Sequence, residues 1–306
     1  MLLVFLACTG GKDDSAAPVP LDPATVPIAG SCPMETDQGG ITFAAEADGS
    51  SIDGAVADGV VPTAVLEELI TDGDCRVLRR GNPYCDPGCD PGTTCDFDGT
   101  CVAYPANQDL GTVSVTGLVQ PVSMDAVFPG NTYYDTTLPT TACTPGDVLT
   151  LSMPGGTYGP AEMHGICPEP YDMTDVTWVV DPSADLTITW PAPTTSVVRT
   201  EVAVSISIDQ HGVTPSVVQC SFEDDGEGTV SAAILTELVS VGVTGFPAGT
   251  IARRTVDSAA AGSGCMEWTT TAPRTVAVDV VGYTPCVSEV DCPDGQSCNL
   301  EMQICE

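Results

Sequence analysis

The sequence predicts a mainly β fold: a disulfide-rich β-sandwich or Greek-key domain with small cysteine-rich modules on either side. Three observations lead there. Short runs rich in Val, Ile and Thr recur along the chain, separated by Gly, Pro, Asp or Ser, which is the pattern of many short strands joined by turns. Cysteines number 15, and eight of them crowd into two clusters, at 85, 89, 95 and 101 and at 286, 292, 298 and 305. No stretch supplies the run of roughly 18 apolar residues that a membrane-spanning helix needs.

Residues 1–8 are apolar up to Cys8, and Thr9, Gly10 and Gly11 follow. Leu6, Ala7 and Cys8 resemble the lipobox that ends a bacterial lipoprotein signal, with Phe5 a tolerable occupant of the third place before the cysteine. The resemblance implies that Cys8 receives diacylglycerol and becomes the first residue of the mature protein. The stretch lacks the basic start and full apolar core of an export signal, so the true start is expected upstream of Met1. A lipid on Cys8 would hold the protein to a membrane without any contribution from its fold. Thr9 differs from the aspartate that marks inner-membrane retention in enteric bacteria, so the expected location is the outer membrane or cell surface.

Residues 9–30 mix Pro, Ala, Gly, Asp and Ser with no apolar period. Such a segment buries too little to offset its ordering entropy and reads as a disordered tether. Residues 31–104 read as a small cysteine-rich region. Ile41–Ala45 suits a short strand. After Pro62, the residues Val65, Leu66, Leu69 and Ile70 recur at helical spacing with Glu67 and Glu68 facing away, which predicts a short helix ended by Asp72-Gly73. Cys32 and Cys75 bracket it and are the expected pair.

From Asn82 turn dipeptides alternate with Cys85, Cys89, Cys95 and Cys101, leaving no room for long regular elements. Residues 284–306 repeat the scheme with Cys286, Cys292, Cys298 and Cys305. Aligning Cys89 with Cys292 superposes Gly92 on Gly295 and Cys95 on Cys298, so both share a C-x-x-G-x-x-C core and form an internal repeat. Setting Cys8 aside leaves fourteen cysteines, an even number, and no CxxC pair of the kind zinc favours. Disulfides in an oxidising compartment are the expectation. The run Asp291-Cys292-Pro293-Asp294-Gly295-Gln296-Ser297-Cys298 resembles small cysteine-rich units of myxobacterial exported proteins, and the spacing is similar to the N-terminal region of the Dickkopf family. That resemblance implies no enzymatic role.

Residues 105–283 carry the main run of strand patterns: Thr112–Thr116, Val148–Met153, Val176–Val180, Leu186–Trp190, Val197–Ile208, Val217–Phe222, Thr250–Val256 and Thr275–Val281. In Glu201–Ile208 the apolar Val202, Val204, Ile206 and Ile208 alternate with Ala203, Ser205 and Ser207, as in a half-buried strand. Ser231–Val241 is the exception, with Ile234, Leu235, Leu238 and Val241 at helical spacing, and predicts one helix. Cys143 with Cys167 and Cys220 with Cys265 are the expected staples. The body as a whole resembles an uncharacterised domain of myxobacterial lipoproteins.

The charge balance, 42 acids against 8 bases and a formal net −34, excludes nucleic acid as a partner. It admits divalent cations. Glu223, Asp224, Asp225 and Glu227 form the densest acidic turn, a candidate calcium site, and Asp96 with Asp98 a second; oxygen ligands converging on turns are what such a site needs. The alternative for both is a solvated acidic turn. Basic residues cluster at Arg76, Arg79 and Arg80 and at Arg253 and Arg254, read as partners for acids. Trp178, Trp190 and Trp268 fall in predicted strands, where packing competes with sugar stacking. His164 reads as a loop residue. Asp209 and His211 share a strand face, half of a catalytic or metal set, against the plainer reading of a strand end. No nucleophile-elbow, zinc-protease or phosphate-loop motif accompanies them. The sequence thus points to a lipid-anchored envelope protein with a structural or binding role and no catalysis. A calcium-dependent or carbohydrate-binding adhesive module is the alternative, and an exported hydrolase the third reading. Its expected partners are the membrane, through Cys8, and an envelope protein or glycan.

Overall fold

The computed structural model describes residues 21–194, 199–208, 215–240 and 242–306. A strap, residues 21–36, leads into two hairpins, β1 (Asp37–Ala45) with β2 (Ser50–Val56) and β3 (Leu66–Asp72) with β4 (Cys75–Arg80). The first cysteine module contains β5 (Thr93–Cys95) and β6 (Cys101–Ala103). Next come β7 (Val113–Thr116), β8 (Val122–Met124), β9 (Tyr133–Leu138), β10 (Val148–Met153) and β11 (Ala161–Ile166). They are followed by β12 (Thr177–Val180), β13 (Leu186–Thr189), β14 (Glu201–Ser207), β15 (Ser216–Glu223), β16 (Glu227–Val230) and the helix α1 (Ala232–Ser240). The long hairpin of β17 (Ala248–Ala261) and β18 (Gly264–Val280) precedes the second module, with β19 (Cys298–Asn299) and β20 (Ile304–Cys305).

The fold is organised on that hairpin. Strands of 14 and 17 residues are far longer than the usual five or six, and each end serves a different half of the molecule. The large sheet runs β3-β4-β15-β14-β17-β18-β1-β2-β9, with β12 also on β18. β1 pairs parallel with the first half of β18 and β12 parallel with its last residues. Above the first half lies the four-stranded sheet β11-β10-β7-β8. Between them Ile41, Phe43, Leu149, Leu151, Met266 and Trp268 form one core. Over the other half lie α1 and the β13–β16 pair, closing a second core with Val204, Ile206, Val218, Ile234, Leu238 and Val278. The alternation read in β14 holds: Val202, Val204 and Ile206 are buried and their neighbours half-exposed. Each such side chain contributes roughly 1.5–3 kcal/mol by burial.

Several expectations are corrected. Residues 62–72 form no helix beyond the short 3-10 turn Pro62–Ala64; Leu66–Asp72 is strand β3. Its register slips between Glu68 and Ile70, and such a bulge lets consecutive apolar residues share a side. Leu69 and Ile70 both pack on the core, so the run imitates a helical stripe. β4 supplies ladder partners across the turn at Gly73, whose φ of +59° suits glycine. Cys32 pairs with Cys265 and Cys75 with Cys220, replacing the expected Cys32–Cys75 and Cys220–Cys265. Pairing across the sheet, at separations of 233 and 145 residues, follows from strand order, which no spacing shows. Cys143 pairs with Cys167. Nor do residues 31–104 stand apart, because β1 to β4 are strands of the large sheet.

Residues 21–30 are not a free tether: Val26 is buried, Arg199 donates to the carbonyls of Pro23 and Val26, and Ala29 N–H donates to Asp257. The strap is held by backbone hydrogen bonds to charged side chains, which leave no apolar period. Residues 9–20 lie outside the described residues. Both modules link first cysteine to third and second to fourth: Cys85–Cys95 and Cys89–Cys101, then Cys286–Cys298 and Cys292–Cys305. The repeat seen in the sequence is a repeat of connectivity.

Candidate functional site

Strand alternation sends the neighbouring Arg253 and Arg254 to opposite faces of the large sheet. Arg253 points inward and is 1% exposed. Its Nε and Nη2 donate to the two carboxylate oxygens of Asp224, Nη2 at 2.9 Å. Nη1 donates to the Glu169 carbonyl at 2.7 Å and Nη2 to that of Pro191 at 2.8 Å. The guanidinium lies 5.0 Å from the centre of the Tyr171 ring; burial pushes that phenol up, against the pull of Arg253. Asp224 also accepts from Trp190 Nε1 at 3.0 Å and Thr200 Oγ1 at 2.7 Å. The Arg253–Asp224 pair so bonded fastens three loops to β17, a structural role, while the Tyr171 hydroxyl beside it is buried without a hydrogen-bond partner.

Arg254 emerges on the outer face, where Nε donates to Glu201 Oε1 at 2.6 Å. Ser221 Oγ donates to the other Glu201 oxygen. Three adjoining hollows share Arg254. The largest, about 410 Å³, lies between strap residues Ile28–Ser31 and Arg199–Glu201. The second, about 300 Å³, is lined by Arg76, Gln219 and Ser221, and the third, about 240 Å³, by Ser205, Thr250, Thr269 and Thr271. The hollows are open and shallow, walled by hydroxyls, an amide and an ion pair. Chemically this is a surface for polar recognition. The sequence flagged Arg76 and Arg254 as rare cations but could not place them on one wall; strand order β4-β15-β14-β17 does so.

The proposed calcium turn is not a converging set. Asp224 is 4% exposed and committed to Arg253, while Glu223 and Glu227 are exposed on their strands and Asp225 accepts from the Glu227 amide. Asp98 is closed on itself, accepting from the Thr100 amide and hydroxyl, and those bonds hold its pKa below the usual value. Among the described residues, each group of three metal-type ligands includes a cysteine already in a disulfide. In one of these groups Asp37 and Glu267 approach Cys32; burial, first, and the Asp37 charge raise the Glu267 pKa, against the Cys32 amide that donates to it at 2.7 Å.

His164 is in β11, not a loop. Its Nδ1 is 3.1 Å from Thr150 Oγ1 and its Nε2 3.6 Å from Glu162. Thr150 sits directly opposite it on β10 and is 9% exposed, so this is a cross-strand pair inside a ladder. Trp178, Trp190 and Trp268 are all buried, which removes them as a sugar-stacking platform. Cys8, Asp209 and His211 lie outside the described residues.

No protein-family model matches the chain, and no curated protein matches it. Among solved structures it is similar at 11% identity to a 1.5-MDa bacterial ice-binding adhesin, over 82% of this chain and 67% of that one, with a TM-score of 0.19. A Ca2+-stabilized adhesin of an Antarctic bacterium that binds ice matches over 82% and 52%, at 11% identity and a TM-score of 0.18. Superpositions this poor relate neither fold nor activity, and the chemistry of the site rests on its own residues.

Proposed function

We propose that this chain is an exported, envelope-anchored binding protein without catalytic activity, attached through lipid on Cys8. The observation that carries the reading is that all fourteen cysteines from Cys32 to Cys305 are joined in seven disulfides. Such density belongs to oxidising compartments. It also leaves Cys8 as the odd sulfur, in the lipobox-like context. The strap supports the geometry: Cys32, the first cysteine after Cys8, is bolted to the longest hairpin, so an anchored chain would be gripped at the middle of its main sheet. The outer face around Arg254 is the recognition surface of this reading.

Intact-mass analysis tests it, on protein from a native-like host. Lipid mass on Cys8 together with fourteen thiols lost to disulfides is expected. Fourteen free thiols, or a mature N-terminus unmodified at Cys8, would overturn it.

A further inference from the structure

The two cysteine modules do more than cap the molecule. Among the described residues, seven of the fifteen large apolar side chains left exposed lie in them: Tyr84, Phe97, Tyr104, Val287, Val290, Leu300 and Met302. In each module the third and fourth cysteines face one another across a hairpin, Cys95 with Cys101 and Cys298 with Cys305. The second residue past the third cysteine is then Phe97 in one and Leu300 in the other, 54% and 67% exposed. Their neighbours correspond too: Asp96 and Asp98 flank Phe97, Asn299 and Glu301 flank Leu300. In both loops the side chain before the apolar residue accepts from loop amides: Asp96 from Phe97, Asn299 from Glu301 and Met302. Cross-links hold these modules, and although the Phe97 ring lies against Gly81, both tips keep more than half of their surface in water. Water disfavours such an apolar side chain relative to burial. Placing one at the same point twice asks for something that covers it.

The charge around the tips says what. Residues 82–104 and 284–306 carry nine acids and no Lys or Arg. Anionic lipid heads would be repelled, and a second copy of a chain at −34 meets like charge. We propose that Phe97 and Leu300 are equivalent docking tips for a basic polypeptide partner, each entering an apolar pocket rimmed by Lys or Arg. Two tips on one chain would let a repetitive partner be held at two points.

The probe is a fluorescent amphipathic peptide of Leu and Lys, with a Leu and Glu counterpart as control, titrated against the whole oxidised protein by anisotropy. Binding of the basic peptide and not the acidic one is expected. Phe97→Ser with Leu300→Ser should weaken it at least tenfold, and Asp96→Asn with Asp98→Asn and Glu301→Gln likewise. Phe128→Ser with Tyr134→Ser, both exposed outside the modules, should leave it unchanged. Leu300→Ser alone guards against a folding defect in the first module and should give an intermediate loss. Equal loss in the Phe128 and Tyr134 variant, or none in the tip variant, would overturn the proposal. So would tip-dependent sedimentation with phosphatidylcholine vesicles, or tip-dependent self-association, in place of peptide binding.

Discussion

Replacing Cys32 and Cys265 by alanine cuts the covalent link between the strap and β18. The disulfide spans 233 residues, but Cys75–Cys220 short-circuits that loop and leaves about 90 residues to be closed. Loop-closure entropy then gives about 4–5 kcal/mol at 25 °C, chiefly by constraining the unfolded chain. The strap's hydrogen bonds from Ala29 to Asp257 and from Cys32 to Glu267 survive the substitution, so the native state changes little. Urea unfolding followed by tryptophan fluorescence reads the difference, since all three indoles are buried. The midpoint should fall and the m-value rise, because an uncrossed chain exposes more surface when unfolded. A loss below about 1 kcal/mol with an unchanged m-value would refute the loop-closure reasoning.

The adjacent arginines should respond very differently to the same change. Arg253→Met leaves Asp224 buried and uncompensated and should cost about 3–5 kcal/mol, whereas Arg254→Met, at a half-exposed pair, should cost within about 1 kcal/mol; similar losses in thermal melts would sink the assignment of faces. Glu267 has a folded pKa raised above 4.5, so its favourable contribution is complete below the unfolded value and fades as pH rises through the folded one. Glu267→Gln should therefore gain on the parent as pH climbs from about 4.5 toward neutrality, and a melting difference flat across that range would contradict the burial argument. Gly40 has no room for a side chain, since a Cβ there would sit 2.2 Å from the Glu267 carbonyl oxygen. Gly40→Ala should cost roughly 1–3 kcal/mol by forcing β1 from β18, and unchanged stability would mean that the parallel β1–β18 pairing is looser than described.

Legibility in the sequence followed how local the cause was. β10 runs Val148–Met153 as read, and α1 appears at Ala232–Ser240 inside the expected Ser231–Val241, because each carries its period in its own residues. Thr250–Val256 and Thr275–Val281 were seen only as fragments of β17 and β18. Their remainder, Asp257–Ala261 and Gly264–Arg274, mixes Ala, Ser and Thr with charged residues, Gly and Pro, so its strand state comes from a ladder partner and not from an apolar period. β3 shows the opposite failure, a bulged strand posing as a helix. Of the site, the scarce arginines were visible, but a sequence pattern cannot say that Arg253 and Arg254, one bond apart in the chain, enter a buried cluster and an open groove respectively.

What the sequence determined alone was the β character and the two-module cysteine repeat, since composition and short periods fix these without reference to distant residues. Only the tertiary structure decided the disulfide partners of Cys32, Cys75, Cys220 and Cys265 and the capture of Asp224 by Arg253. It also brought Phe97 and Leu300 into view as equivalent exposed tips. Each of these depends on which strands lie side by side, and strand order is a property of the assembled sheet that no single segment encodes.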